Sequence, residues 1–128
     1  MLSQTATYAL QAMAFLAGHK DEGPILSRTI SKEMKIPKNF LSKILNRLVQ
    51  EGLIQSIRGT GGGFVLAKDP SKTRMRDVVS LFMKLDDYKN CFLGLKKCDG
   101  SCAIHPRWKL IAKQIEAMLD ETTIDKML

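Results

Sequence analysis

The chain has 128 residues, 45% of them hydrophobic, and carries 20 Lys and Arg against 13 Asp and Glu, a formal net charge of +7. That length and apolar fraction suit a single core and exclude a large multidomain enzyme, and the well-mixed charge argues against disorder. The most apolar stretch, Tyr8 to Ala17, falls short of the run of about 18 apolar residues that a membrane span needs, and no basic residue precedes it as in a secretory leader. A cytoplasmic protein with no membrane contact is expected, and the positive surplus points to an anionic partner.

The first helix is expected over Ser3 to Gly18, capped by Ser3, with Ala6, Leu10, Met13 and Ala17 near helical spacing. Ala9, Met13 and Leu16 make its other face apolar too, so it should be covered on more than one side. Asp21-Glu22-Gly23-Pro24 reads as a loop. A second helix fits Ser27 to Met34, with Ser27 as its cap and Ile30 and Met34 facing inward. Ile36-Pro37 ends it and opens a third, about Pro37 to Gln50, because proline is accepted at the first helical position. In that helix Leu41, Ile44, Leu45 and Leu48 form the apolar stripe, opposite Asn39, Ser42, Lys43 and Asn46, with Lys38 and Arg47 beside them.

Two strands, Leu53 to Ile57 and Gly63 to Ala67, enclose Arg58-Gly59-Thr60-Gly61-Gly62, a hairpin signature. Asp69-Pro70-Ser71 reads as a linker, and a fourth helix fits Arg74 to Leu85 with Met75, Val78, Val79 and Phe82 inward. Residues 86–105 look irregular and hold every cysteine. Pro106 opens a final helix to about Asp120, in which Trp108, Ile111, Ile115 and Met118 recur at spacings of three and four. That is an a/d seam suited to a long partner helix. Ile124, Met127 and Leu128 add a short tail helix.

The expected fold is mainly α with a small β-hairpin. Three helices followed by a hairpin is the order of a winged helix-turn-helix, here in residues 1–70. Residues 71–128 supply dimerisation helices and a cysteine-rich sensor loop, 86–105, in one compact domain. In such a fold the second helix of the pair enters the major groove of double-stranded DNA, which assigns base and phosphate contacts to Lys38, Asn39, Ser42, Lys43, Asn46 and Arg47. Between Arg28 and Arg58 seven basic side chains stand against Glu33 and Glu51, so this segment holds most of the net charge. Arg28 joins the contact set, and the glycine-rich loop becomes a wing tip in which Arg58, Thr60 and Gly61 meet an adjacent minor groove. The loop lacks the Lys-Ser/Thr ending of a phosphate-binding P-loop, and a strand follows it where a helix should.

The string Cys91-x6-Cys98-x3-Cys102-x2-His105 offers three thiolates and an imidazole, which suits an iron–sulfur cluster or zinc. His105, just before Pro106, is either a helix-end residue or the fourth ligand. Lys96 and Lys97 beside Cys98 read as an exposed pair or as charges that offset thiolates. With only His19 and His105 in the chain and no convincing acid–base pair, an enzyme is not expected.

The opening Leu2-Ser3…Tyr8-Ala9-Leu10, the Ile36-Pro37…Phe40-Leu41…Ile44-Leu45…Leu48 stretch, Ser56-Ile57-Arg58-Gly59…Gly61-Gly62-Gly63-Phe64…Leu66-Ala67 and Cys91…His105-Pro106…Trp108 together resemble the Rrf2 family of winged helix-turn-helix transcriptional regulators. The resemblance covers essentially the whole chain, and the wing string is its most specific part. It implies a homodimer on pseudo-palindromic operators, joined through the C-terminal helices, and cluster ligation by Cys91, Cys98 and Cys102, with a [2Fe–2S] form expected ahead of [4Fe–4S]. Iron–sulfur, redox or nitric-oxide status would be the signal and repression the expected outcome. The cysteine spacing is less even than in the family's iron–sulfur regulators, and Ser42 replaces a Glu that helps them discriminate operators. Where some relatives draw a ligand from the partner's first helix this chain offers Thr7, a poor ligand, which favours His105. Some members carry no cluster, so a regulator responding through thiol oxidation, zinc or a protein partner is the alternative.

Overall fold

Ser3 starts the helix around which the other elements assemble. In the computed structural model, which describes residues 2–85, 92–93 and 100–128, its hydroxyl oxygen accepts from the Ala6 N–H at 3.1 Å and caps α1 (Gln4–Gly18). Ala6, Ala9, Leu10, Ala12, Met13, Ala14, Phe15 and Leu16 are all buried, so α1 is covered on more than one side as its composition predicts. Its small residues let neighbouring helices approach closely. At its C-terminal end the His19 imidazole stacks on Phe15, with ring centroids 4.1 Å apart, and its Nδ1 lies 2.8 Å from the Phe15 carbonyl.

A tight 3-10 turn, Lys20–Glu22, occupies the expected loop. Helix α2 (Ser27–Met34) has the predicted span, but Leu26 stands at its cap and Ser27 is already helical, with no side-chain cap. Lys35 adopts the left-handed conformation (φ 55°) that lets the chain reverse. The Ile36 N–H donates to the Ser31 carbonyl at 3.0 Å, and the Ser31 hydroxyl donates to the Ile36 carbonyl at 2.6 Å. This short clasp sets the angle between α2 and α3 (Lys38–Gln50). Pro37 sits at the cap rather than inside the helix, and its carbonyl accepts from the Leu41 N–H at 3.0 Å. Leu41, Ile44, Leu45 and Leu48 are buried, which is the predicted stripe.

The wing is an antiparallel pair, β1 (Ile54–Ile57) and β2 (Gly63–Leu66), in register Ile54↔Leu66 through Ile57↔Gly63. Each strand is one residue shorter than expected. Ile25 adds a bridge to Phe64 on the far edge of β2. The segment read as a linker is instead packed. Asp69 caps a 3-10 turn, Pro70–Lys72, and Pro70 and Thr73 are buried. The Ser71 N–H and hydroxyl both donate to the Asp69 carboxylate and hold its pKa below the usual range.

Helix α4 covers only Met75–Val79 rather than Arg74 to Leu85. Beyond it the Leu81 and Phe82 N–H groups reach carbonyls three residues back, a tightened turn that half-buries Leu81, Phe82 and Met83 against the core. Helix α5 (His105–Glu121) carries Ala112, Ile115 and Leu119 into that core. Arg76 of α4 ties it down through ion pairs with Glu116, at 3.8 Å, and Asp120. The chain then bridges back, with the Met75 N–H on the Thr122 carbonyl and the Ile124 N–H on the Thr73 carbonyl, both at 2.9 Å. The tail helix is a 3-10 turn, Ile124–Lys126, in which Ile124 is buried while Leu128 lies outside it and exposed. One continuous core runs from Ala6 to Ile124, so reading head and C-terminal helices share it.

Candidate nucleic-acid interface and ligand loop

With its stripe buried, α3 turns Lys38, Asn39, Ser42, Lys43, Asn46 and Arg47 to solvent. The exposed Ser42 hydroxyl donates to the Lys38 carbonyl at 3.1 Å, and its oxygen retains acceptor capacity. Arg47 is paired with Glu51 at 3.2 Å, so part of its charge is offset, whereas Lys43 forms no ion pair among the described residues. Between α2 and the start of α3 lies an open cleft of about 590 Å³ lined by Arg28, Thr29, Ser31, Lys32, Glu33 and Lys38, wide and cationic enough for a phosphate strand.

The wing tip exposes Arg58, Thr60 and Gly61 on the same chain reversal. The glycines behind it have a packing cause. A Cβ at Gly62 would stand 2.3 Å from the Ile57 carbonyl oxygen, and one at Gly63 would stand 2.5 Å from the Ile25 backbone. The wing is therefore pressed against the strand stub ahead of α2. Every DNA-contact candidate named from the sequence is exposed, and those on α2 and α3 converge on the cleft and the polar face of α3.

Sequence reasoning passed over Phe40. It is 48% exposed in the first turn of α3, its ring 6.2 Å from that of Tyr8. Its position off the Leu41–Leu48 stripe was the available signal.

Of the four candidate ligands, Cys91 and Cys98 lie outside the described residues, as do Lys96 and Lys97. Cys102 is a free, partly buried thiol. Its carbonyl accepts from the His105 N–H at 3.2 Å, which places thiol and imidazole on one turn at the start of α5. The His105 ring lies over Gly100, where a Cβ would stand 3.4 Å from Nε2. Among the described residues no three ligand-type side chains converge. Cys102 and His105, uncommitted to any disulfide, are nonetheless the donor chemistry that a cluster or zinc accepts. Phe92 packs on Trp108 with centroids 5.3 Å apart, and beside them a groove of about 330 Å³ runs along α5 over His105, Trp108, Ala112 and Glu116.

The expected seam on α5 is divided. Ile115 is only 9% exposed and belongs to the chain's own core, and Trp108 is half-buried against it. Ile111 (45%) and Met118 (44%) are exposed, joined by Ile104 and by Leu110 (64%). Ile104, Ile111 and Met118 repeat every seven residues, so the outward stripe is rotated from the one expected.

Three helices, a short helix-turn-helix clasp and a glycine-tipped wing bearing cationic side chains define a winged helix-turn-helix regulator. The Rrf2 profile, described as "Iron-dependent Transcriptional regulator", matches residues 2–128, and the chain belongs to this family. It is 36% identical to an HTH-type transcriptional regulator of Aquifex aeolicus (strain VF5), over all of this chain and 91% of that protein. It is 31% identical to the HTH-type transcriptional regulator IscR of Serratia proteamaculans (strain 568), over 99% of this chain and 78% of that one. The solved structure of T. potens IscR superposes with a TM-score of 0.76 at 28% identity, covering 99% of this chain and 85% of that one. The protein is a transcriptional regulator and not an enzyme. Among the described residues no helix is long and apolar enough to cross a membrane.

Proposed function

We propose that this regulator is a cytoplasmic homodimer that binds a pseudo-palindromic operator in double-stranded DNA, typically to repress, and senses iron–sulfur, redox or nitric-oxide status through Cys91, Cys98, Cys102 and His105. The observation that carries the reading is the shared turn of Cys102 and His105 at the head of α5, the helix that bears the exposed Ile104–Ile111–Met118 stripe. The description of the family as iron-dependent and the relatives named IscR support it.

An iron–sulfur cluster, [2Fe–2S] ahead of [4Fe–4S], would supply a group that iron supply, oxidants and nitric oxide alter. The chain's own residues do the rest. Lys38, Lys43, Arg28 and Arg58 attract and register the duplex, while Asn39, Ser42 and Asn46 present amide and hydroxyl groups to base edges. Ile104, Leu110, Ile111 and Met118 would join two copies, and the angle of that join sets the spacing of the two reading heads. Domain roles follow: residues 1–70 read DNA and residues 71–128 couple loop 86–105 to the dimer.

Anaerobic purification followed by iron and sulfide analysis, visible absorption and EPR tests the cofactor assignment. Bound iron with charge-transfer absorption, lost in the Cys91→Ala/Cys98→Ala/Cys102→Ala variant, is expected. A colourless, iron-free protein after reconstitution contradicts it and leaves the thiol, zinc or protein-partner route.

A further inference from the structure

Phe40 is an aromatic residue in a polar place. It lies in the first turn of α3, between exposed Asn39 and buried Leu41, and remains 48% exposed. Helical geometry sets it about 60° round the axis from Lys43. It shares that edge of α3 with Lys43 and Arg47, at spacings of three and four. In a helix-turn-helix the N-terminal residues of the second helix are the ones that meet base edges. Phe40 therefore stands in the turn nearest the bases, at the border of the face that carries Asn39, Lys43 and Asn46.

Its ring is oriented before any ligand arrives. The Tyr8 ring of α1 stands 6.2 Å away, tilted by 56°, within the range of attractive aromatic pairs. Tyr8 is itself half-buried against the core, so the contact ties Phe40 to the body of the fold. A side chain placed in advance loses less freedom when it is covered. Nearly half of Phe40 is still in water, and covering that apolar surface is favourable. Lys38, Asn39, Ser42, Lys43, Asn46 and Arg47 all offer hydrogen-bonding groups, and Phe40 adds an apolar one to their set. On the base edges of the major groove the apolar group is the C5-methyl of thymine, which Phe side chains contact.

We infer that Phe40 is a specificity-determining residue of the operator interface, packing on the C5-methyl group of a thymine in the major groove. A thymine at that position is then preferred over an otherwise identical uracil. Burial of one methyl-sized group is worth a factor of about 4 in affinity. The inference rests on the operator-binding reading proposed above.

The test removes the methyl group alone. Full-length wild type selects a duplex from a random pool, and each thymine of that duplex is replaced in turn by deoxyuridine, which leaves base pairing intact. Kd values at fixed salt, with melting temperatures, are measured for wild type, Phe40→Leu, Phe40→Ser and Phe40→Gln. For wild type, replacement at one thymine position of each half-site should weaken binding by about 4-fold. Phe40→Leu, still apolar, should keep part of that preference. Phe40→Ser and Phe40→Gln, the second a strong helix former, should bind thymine and uracil duplexes equally at that position. The thymine-to-uracil ratio is internal to each protein, so a variant of lowered stability still reports it. A Phe40 that served the fold alone would weaken binding to both duplexes alike, so a ratio preserved in the Ser and Gln variants overturns the inference. A wild type indifferent to every replacement overturns it too. A wild type that selects no duplex overturns the operator reading and the inference with it.

Discussion

The Phe64 N–H donates to the Ile25 carbonyl at 2.8 Å, and the Ile25 N–H returns to the Phe64 carbonyl at 3.0 Å. This pair of hydrogen bonds fastens the wing to the residue just ahead of the helix-turn-helix, so Arg58 and α3 are held on one head. The contact is possible because Gly63, at φ 145°, has no side chain where the Ile25 backbone passes. Gly63→Ala should therefore lower stability by about 1–3 kcal/mol, through strain and loss of the bridge. Thermal unfolding with an unchanged midpoint would show that the close approach is not required.

Lys35 presents the opposite case, a residue with a side chain in a conformation that favours glycine. Lys35→Gly should raise stability by about 0.5–1 kcal/mol, because relief of left-handed strain outweighs the added freedom of the unfolded chain. Urea unfolding with an unaltered slope and a higher midpoint is the expected result. A lower midpoint would mean that the Lys35 side chain makes a contribution larger than the strain.

On α3, charge compensation ranks two neighbours. Arg47 already answers Glu51, whereas Lys43 projects from the centre of the polar face. Lys43→Ala should cost operator binding about 1–3 kcal/mol and, if it meets phosphate, lower the salt slope by about one. Arg47→Ala should cost less, since Arg47 must give up part of its pair with Glu51, worth about 0–1 kcal/mol, to meet a phosphate. Binding titrations at several salt concentrations separate the two, and equal losses would place Arg47 in direct contact with the duplex.

For α5, Ile111 and Ile115 are one turn apart and face different surroundings. Ile111→Asp should give a folded monomer, because an exposed stripe loses its apolar seam. Ile115→Asp should unfold the chain at any concentration, because a carboxylate would enter the core. Light scattering alongside circular dichroism reads both. A dimeric Ile111→Asp protein would show that the chains join elsewhere.

Most of the reading head was legible because its signals are local. The 3.6-residue period of Leu41, Ile44, Leu45 and Leu48 and the glycines after Arg58 each specify an element from neighbouring residues. The misreadings have tertiary causes. Pro70 looks like a linker residue but packs into the core, and Leu81 and Phe82 leave the helical period to seat against it. The Trp108–Ile115 seam has valid spacing, yet the chain's own core takes Ile115, which rotates the free stripe towards Leu110 and Ile111. Phe40 and the Phe92–Trp108 pair depend on contacts between residues distant in sequence, which no periodicity announces. In the ligand loop, the order of Cys91, Cys98, Cys102 and His105 was legible, while the structure places only the last two.

The central claim is that the state of the cysteine loop controls DNA reading. Its most direct test is fluorescence anisotropy of a labelled duplex, selected from a random pool, titrated with anaerobically reconstituted protein and with the same protein stripped of iron, at fixed salt. The account predicts dissociation constants that differ by at least about 5-fold, a difference abolished in the triple cysteine-to-alanine variant. Equal constants for an iron-loaded and an iron-free wild type would contradict it.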